Sequence, residues 1–328
     1  MNLIIHHWDM DGIASAIILT KQKEERFKYF TPTAGNYFLS SEERAIISSM
    51  NPDKIYLVDM SLPKDDLIFL NNLADFEVFD HHSGHSIEGV KIHNPILEGA
   101  KSIEYPSCTT VLKEYFKLEE DILYWSGIWG DFGFKLKETD YLLVSLKSFL
   151  NKNKIEFKDF KLFVTIADSQ YKTGDKEKIY ELIDFLLSNP PINILSEKIF
   201  SSILSKLEEV KKQELKRFKT FGKVEFLKLK TPYYVISDLC RLKFSETPDK
   251  YNIVLGERKD FYNFYMRTGI EDLSELIKQT KSNGFFGGGK KDVLGVVMPK
   301  DDFDKFVNFI SGVFFKQRGI NIIKILKE

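Results

Sequence analysis

The chain has 328 residues, of which 43% are hydrophobic and 29% are charged. This length is typical of two domains, and this composition supplies a packed core, which excludes a disordered chain. No apolar run approaches the roughly 20 residues that span a bilayer, and no secretory signal opens the sequence, so we expect a cytoplasmic protein. The two cysteines, Cys108 and Cys240, are far apart, which excludes a zinc ribbon and a disulfide framework and is typical of a reducing compartment.

The net charge of −1 conceals two halves of opposite sign. Residues 1–190 carry 21 Lys and Arg against 30 Asp and Glu, a balance of −9, whereas residues 191–328 carry 26 against 18, a balance of +8. This asymmetry favours cation binding by the first half and anion binding by the second. Two ordinary solvated surfaces would explain the same charges, so charge alone leaves both interpretations open.

The first 80 residues alternate short apolar runs with segments of helical spacing. Strands are predicted at 2–7, 54–59 and 77–80, and helices at 12–23, 41–50 and 62–73. Strands and helices that alternate at this spacing indicate a parallel sheet in an α/β domain.

The remainder of the chain is predicted to contain a helical region, a connector and a second α/β domain. Residues 107–187 are mostly helical in pattern, and a long charged helix at 195–219 is expected to connect the domains. Beyond it we predict strands at 223–229, 233–236, 251–255 and 261–267, and helices at 272–279 and 302–315. The predicted bounds are therefore 1–190 for the first domain, 191–220 for the connector and 221–328 for the second domain.

Acidic and histidine residues end each of the three predicted strands of the first domain. They are His7, Asp9 and Asp11 after the first strand, Asp59 after the second, and Asp80, His81 and His82 after the third. Because the carboxyl ends of parallel strands face a common crevice, we expect these side chains to converge. A single Asp at a strand end is most often a helix cap, but three such ends in succession favour a functional site.

Four carboxylates in one crevice would repel one another unless cations neutralised them. Histidine and carboxylate ligands without a thiolate suit Mn²⁺, Fe²⁺ or Zn²⁺ better than Ca²⁺. A carboxylate that bridges two cations would support a two-metal centre that hydrolyses a phosphoester.

These motifs resemble the first three motifs of the DHH phosphoesterase superfamily, which includes RecJ-like nucleases, oligoribonucleases, cyclic-dinucleotide phosphodiesterases and manganese pyrophosphatases. The fourth motif of that superfamily is an Asp in a mostly helical region, which Asp131 matches. The basic half is similar to the DHH-associated domain. The signature of that domain is a triple glycine, and an arginine upstream of it contacts phosphate. Gly287, Gly288 and Gly289, followed by Gly295, match the glycines, and Arg267 matches the arginine that contacts phosphate. The resemblance extends over about residues 1–326.

The resemblance implies a role for each matching position. The first cation would be held by His7, Asp9 and Asp59, and the second by Asp11, Asp59, His81 and Asp131, with Asp59 as the bridge. His82 would face the substrate phosphate, and Asp80 would orient the histidine ligands. His6 is an alternative to His7 in the first site, although strand alternation favours His7 on the face of Asp9 and Asp11.

One position departs from the family pattern. The glycine motif usually continues into a histidine, whereas this chain has Lys290 and Lys291. Lys290 still supplies a positive charge to a phosphate, but it lacks the aromatic ring and the near-neutral titration of histidine. Phe285 and Phe286 precede the glycines, and either could pack in the core or stack on a base, with one buried and one exposed as the commoner outcome.

The sequence therefore predicts two α/β domains with an active-site cleft between them. The expected cofactors are two divalent cations, Mn²⁺ first and Mg²⁺ or Co²⁺ as alternatives. The expected reaction is two-metal hydrolysis of phosphodiester bonds in a nucleotide, an oligonucleotide or single-stranded nucleic acid, by a chain that could form a homodimer. The alternatives are a cyclic-dinucleotide phosphodiesterase, a pyrophosphatase and a non-catalytic RecJ-like replication scaffold.

Overall fold

A parallel five-stranded sheet forms the centre of the first part of the chain. The structure is a computed structural model that describes residues 1–23, 25–133 and 140–327, with only the backbone at 140. Its first five strands are β1 (Asn2–His6), β2 (Phe27–Phe30), β3 (Lys54–Val58), β4 (Asp75–Phe79) and β5 (Lys91–His93). Their order is β2-β1-β3-β4-β5, and every neighbouring pair is parallel. Strands β2 and β5 are the two short edge strands of this sheet, and the sequence pattern did not predict either of them.

The three central strands are buried on both faces, as an apolar run in a parallel sheet should be. Their register pairs His6 with Val58 and Val58 with Phe79, so the three strands end in line. The α-helices described before the second unit are α1 (Met10–Lys23), α2 (Ser41–Ser49), α3 (Lys64–Leu73), α4 (Cys108–Phe116), α5 (Ile122–Phe132), α6 (Asp140–Lys152), α7 (Phe157–Ser169) and α8 (Lys176–Ser188). Helix α1 is buried from Met10 to Leu19, which fixes the chain that leaves β1.

A buried, ion-paired carboxylate on β4 links that strand to its neighbours β3 and β5. The Glu77 side chain on β4 accepts a hydrogen bond from His93 Nε2 at 2.9 Å and pairs with Lys54 Nζ at 3.1 Å. The bond from His93, helped by Lys54, lowers the pKa of Glu77 to about 2.

The chain divides into two compact units, Met1–Leu204 and Ser205–Glu328. The division falls inside α9 (Lys198–Leu215), which is shorter than the predicted helix at 195–219 because a 3-10 turn, Pro191–Ser196, precedes it. The predicted bounds of the domains and of the connector stay a prediction. Among the described residues, no helix has both the length and the apolar character that crossing a membrane requires.

The second unit contains a six-stranded mixed sheet. Its strands are β6 (Lys219–Phe221), β7 (Val224–Leu229), β8 (Tyr251–Glu257), β9 (Phe261–Arg267), β10 (Phe286–Lys290) and β11 (Val293–Pro299), in the order β10-β11-β9-β8-β7-β6. Only the β7–β8 pair is parallel among these neighbours. The helices are α10 (Ile236–Glu246), α11 (Ser274–Ser282), α12 (Phe303–Ile310) and α13 (Ile322–Leu326). The two sheets and their helices confirm the predicted α/β fold class.

The predicted strand at 233–236 is wrong. Ile236 begins α10, and Val235 just before it is fully buried. A short apolar run does not distinguish a strand from the start of a buried helix, which explains the error. The triple glycine also lies inside a strand, β10, and β10 is an edge of the sheet.

Candidate metal centre

Three consecutive parallel strands deliver acidic and histidine residues to one edge of the first sheet. The backbone pairing continues one residue past the strands, because His7 N donates to Val58 O at 3.3 Å and Asp59 N donates to Phe79 O at 2.9 Å. His7, Asp59 and Asp80 therefore stand side by side where the strands end. The sequence predicted this convergence from the strand ends alone.

The tight turn from β1 into α1 brings Asp9 and Asp11 to the same edge. A Cβ on Gly12 would lie 2.3 Å from the His7 carbonyl oxygen, so the helix can approach the strand this closely only at a glycine. Gly12 N donates to Asp9 Oδ1 at 3.2 Å, which orients that carboxylate. His7 Nδ1 lies 2.8 Å from Asp9 Oδ2.

Asp59 is the centre of the cluster. Its carboxylate oxygens lie 3.8 Å from His7 Nδ1, 3.3 Å from His81 Nε2 and 3.9 Å from His82 Nδ1. The side chain is 1% exposed, and the backbone has a φ of 58°, a left-handed conformation that Asp tolerates better than most residues. This conformation turns the chain at the strand end and points the carboxylate into the cluster.

His81 joins Asp59 to a second group of ligand atoms. Its Nε2 lies 3.3 Å from Asp131 Oδ2 and 3.7 Å from Asp11 Oδ2. Its Nδ1 contacts the Tyr105 carbonyl oxygen at 3.1 Å, which makes Nδ1 the protonated nitrogen and leaves Nε2 able to bind a cation. The sequence did not predict the contribution of Tyr105, because a backbone carbonyl carries no residue signature.

The N-terminus of α4 holds Asp11. Cys108 N donates to Asp11 Oδ2 at 2.6 Å, and Thr109 N donates to Oδ1 at 3.2 Å. Helix α5 passes so close that a Cβ on Gly127 would lie 2.4 Å from Asp11 Oδ1. The sequence Ser-Cys-Thr-Thr at 107–110 is typical of a helix start. It does not indicate that the first N–H groups of this helix donate to Asp11.

Three overlapping groups of side chains could each hold a metal ion, with ligand atoms that all lie within 4.8 Å of one another. They are His7, Asp9 and Asp59; Asp59, His81 and His82; and Asp11, His81 and Asp131. Both oxygens of Asp59 and Nε2 of His7 are buried without a hydrogen-bond partner. The other ring nitrogens at the site face carboxylate oxygens, His7 Nδ1 at 2.8 Å from Asp9 and His81 Nε2 at 3.3 Å from Asp131. Buried polar atoms without partners are costly, and a cation bound among these nitrogen and oxygen donors would satisfy them. The donor set therefore fits two divalent cations.

The electrostatics of the cluster agree with that fit. Burial, together with the charges of Asp11 and Asp9, raises the pKa of Asp59 well above its ordinary value. Burial raises the pKa of Asp11 to about 6. Burial opposes the charge of His81, but the hydrogen bond with Asp131 and the Asp11 charge raise its pKa to about 9. Without cations, the raised pKa values favour protonated Asp59 and Asp11 and a positively charged His81, which is the response expected of crowded carboxylates that lack a counter-charge.

His82 and Asp80 form a hydrogen-bonded pair beside the cluster. His82 Nδ1 contacts Asp80 Oδ1 at 2.8 Å, and its side chain is 43% exposed. Asn94 supports the pair, since its Nδ2 donates to the His82 carbonyl oxygen at 2.9 Å. Asp80 is therefore hydrogen-bonded to His82, whereas His81 is hydrogen-bonded to the Tyr105 carbonyl oxygen.

His6 turns away from these ligands. Its Nδ1 contacts the His7 carbonyl oxygen at 2.7 Å, its ring packs edge-on against Tyr29, and burial lowers its pKa to about 4. His6 belongs to none of the three ligand groups found among the described residues. Of the two histidines, His7 is the one whose ring reaches the cluster.

The remaining predicted site residues lie in the second unit. Arg267 ends β9, where its Nη1 lies 3.6 Å from Asp292 Oδ2 and its Nε is buried without a hydrogen-bond partner. Gly287 to Lys290 lie on β10, and a Cβ on Gly289 would lie 1.9 Å from the Val293 carbonyl oxygen. Lys290 is opposite Val293, which is opposite Arg267, so the two cationic side chains belong to one row on one face of the sheet.

The fold and the site define an α/β protein with a cluster of buried carboxylates and histidines suited to divalent cations. Residues 2–128 match the family model "DHH family, N-terminal domain". That match contains every residue of the cluster except Asp131. Residues 2–128 therefore form a domain similar to the N-terminal domain of the DHH family.

Solved structures share the architecture at low sequence identity. The chain is similar to an exonuclease RecJ bound to manganese, with 15% identity, a TM-score of 0.62, and coverage of 98% of this chain and 93% of that one. It is also similar to the DHH domain of a member of the s1p family of ribosomal proteins, with 15% identity, a TM-score of 0.64, and coverage of 95% and 85%. CDC45 from Entamoeba histolytica matches at 9% identity and a TM-score of 0.52, with coverage of 94% of each chain. These likenesses show the fold. No curated protein sequence matches the chain.

Proposed function

We propose that the chain is a Mn²⁺-dependent phosphodiesterase that hydrolyses short or single-stranded nucleic acid by a two-metal mechanism. The observation that carries this proposal is the cluster around Asp59, in which both Asp59 oxygens and His7 Nε2 are buried without a hydrogen-bond partner among further carboxylate and histidine side chains. A purely structural cluster would pair these atoms with one another or with the backbone.

The distances support two sets of ligands. His7, Asp9 and Asp59 would hold one cation, and Asp11, Asp59, His81 and Asp131 would hold the other, with Asp59 as the shared ligand. When bound, two cations at such a site activate a water molecule and neutralise charge on the phosphate. The protein prepares this chemistry by holding His81 through the Tyr105 carbonyl oxygen and Asp11 through the first turn of α4.

His82 would contact the substrate phosphate. Asp80 accepts the hydrogen bond from Nδ1, so Nε2 is the ring nitrogen that remains for an outside partner. Because the side chain is 43% exposed, Nε2 is accessible to a phosphate oxygen of the substrate while Asp80 fixes the orientation of the ring. Asp80 acts through His82 and is a positioning residue.

The second unit would bind further phosphate and a base. Arg267 and Lys290 supply positive charge from one row of the sheet, and the glycines at 287–289 leave the backbone of an edge strand open to an anion. Phe286 is 56% exposed, whereas Phe285 beside it is 7% exposed and packs in the core. An exposed ring beside a phosphate subsite favours a substrate that carries a base over inorganic pyrophosphate.

The experiment compares three substrates with Mn²⁺: a dinucleotide, a long single strand and cyclic di-AMP. Release of mononucleotides from the dinucleotide or from the strand, abolished by Asp59→Asn, is the expected result. Preferred cleavage of cyclic di-AMP would support the cyclic-dinucleotide alternative. No turnover of any of the three, with Mn²⁺, Mg²⁺ or Co²⁺, would refute the proposal and favour a non-catalytic scaffold.

A further inference from the structure

The loop between β2 and α2 is held by two buried carboxylates, Glu43 and Asp66. Glu43 is 4% exposed and accepts hydrogen bonds from Thr33 N at 2.7 Å, Thr33 Oγ1 at 2.9 Å and Ser40 N at 3.0 Å. Lys176 Nζ on α8 pairs with the same carboxylate at 3.0 Å. Glu43 thereby joins both ends of the segment 33–40 to a neighbouring helix.

A second carboxylate holds the far end of this loop. Asp66 on α3 is 1% exposed and accepts a hydrogen bond from Leu39 N at 2.9 Å. Arg44 Nη2 pairs with Asp66 at 2.6 Å and neutralises it. Two buried charged groups are expensive to keep, and neither belongs to the metal cluster, so what they secure is the loop itself.

The loop presents one exposed aromatic ring beside the metal centre. Tyr37 is 58% exposed, and its ring centroid lies 6.0 Å from that of His7 with an interplanar angle of 26°. It also lies 5.4 Å from the ring of Trp8, which is itself 5% exposed and 4.1 Å from the His7 ring. Tyr37 is therefore the most exposed of three neighbouring rings, and it lies nearly parallel to His7, which belongs to the cluster.

We propose that Tyr37 is a base-stacking residue for the nucleotide whose phosphate binds at the metal centre. This inference rests on the proposed function. An aromatic ring that served only to pack on Trp8 and His7 would contribute most to stability if it were itself buried. Tyr37 instead exposes more than half of its surface to solvent. The held loop orders the ring before substrate arrives, so little conformational freedom is lost on binding. Stacking on an aromatic ring tolerates every base, which suits a nuclease without sequence preference.

The test compares paired oligonucleotides that differ only at one terminal nucleotide, which is either normal or abasic, with the abasic site at the 5′ end in one pair and at the 3′ end in the other. Tyr37→Ala should lower kcat/KM for the fully base-bearing strand by roughly five- to 150-fold, mainly through KM, because one base-stacking contact is lost. On the strand that lacks the stacked base, the variant should match the wild-type protein. Tyr37→Phe and Tyr37→Trp keep the ring and should keep the discrimination.

Three controls separate stacking from other roles. Mn²⁺ affinity, measured by calorimetry, should be the same in Tyr37→Ala and the wild type. Tyr141→Ala removes a tyrosine of nearly equal exposure, 57%, on α6, and should leave both strands unaffected. Equal losses on normal and abasic strands, or a fall in Mn²⁺ affinity, would overturn the stacking role and leave the phosphodiesterase function standing. Absence of turnover by the wild-type protein would overturn both together.

Discussion

Replacing Asp59 with Asn should raise the stability of the metal-free protein while abolishing its response to Mn²⁺. Asn is the appropriate substitution because the backbone at this position has a φ of 58°, which Asn tolerates and which most other side chains do not. The change keeps the size of the side chain and removes the charge that the neighbouring carboxylates repel.

The direction follows from the pKa of Asp59. Burial and the charges of Asp11 and Asp9 raise that pKa in the folded protein, so the folded state holds the proton more tightly than the unfolded state does. Stability is therefore lost as pH rises from the unfolded value through the folded value, and at neutral pH the metal-free protein bears this penalty. Relief of an unsatisfied buried polar group typically amounts to about 1–3 kcal/mol, and each kcal/mol shifts Tm by roughly 2–4 °C in a unit of this size.

Thermal unfolding at pH 7 in EDTA and then in Mn²⁺ measures both effects. In EDTA we expect Asp59→Asn to unfold at a higher temperature than the wild type. At 100 times Kd, each bound cation adds about 2.7 kcal/mol to the wild-type protein, which should reverse the order. A variant that is less stable than the wild type in EDTA, or that gains as much from Mn²⁺, would refute the assignment of Asp59 as the shared ligand.

Three further predictions concern the second unit, the sheet and the packing around the metal centre. Arg267→Ala and Lys290→Ala should each lower kcat/KM for an oligonucleotide roughly ten- to 100-fold, because charge-assisted contacts to phosphate are worth about 1.5–3 kcal/mol. Both variants should keep the wild-type kcat/KM for a small artificial diester. Equal losses on the two substrates would contradict a phosphate-binding role for the second unit that is separate from the metal centre. Glu77 has its pKa lowered to about 2, so its stabilisation is complete above about pH 4.3 and is lost as pH falls towards 2. Glu77→Gln should flatten that part of the stability curve measured by urea unfolding, and an unchanged slope would contradict this. Gly127→Ala should cost about 1–3 kcal/mol through overpacking and weaken binding of one of two cations in calorimetry. Gly130→Ala is the matched control on the same helix, since its Cβ would meet a neighbouring atom no closer than 3.2 Å, and equal effects of the two would contradict the packing argument.

Strand and helix periodicity predicts from the sequence alone that most residues of the candidate site lie at one edge of the first sheet. Apolar runs that end on Asp or His predicted which residues meet, because parallel strands must end at a common edge. The same reasoning failed at 233–236, where four residues carry too little periodicity to separate a strand from a helix start. It also missed β2 and β5, which are short and partly exposed and therefore lack a continuous apolar pattern.

The sequence by itself determined the α/β class, the convergence of His7, Asp59 and His81, and the opposite charges of the two halves. All three depend on local patterns, either the alternation along a strand or the composition of a segment. Only the tertiary structure decided that Asp11 accepts hydrogen bonds from the N-terminus of α4, that the Tyr105 carbonyl oxygen orients His81, and that Tyr37 lies beside His7. These contacts join residues up to 98 positions apart. They depend on backbone groups and on a loop that buried carboxylates in other elements hold in place, so no local sequence pattern predicts them.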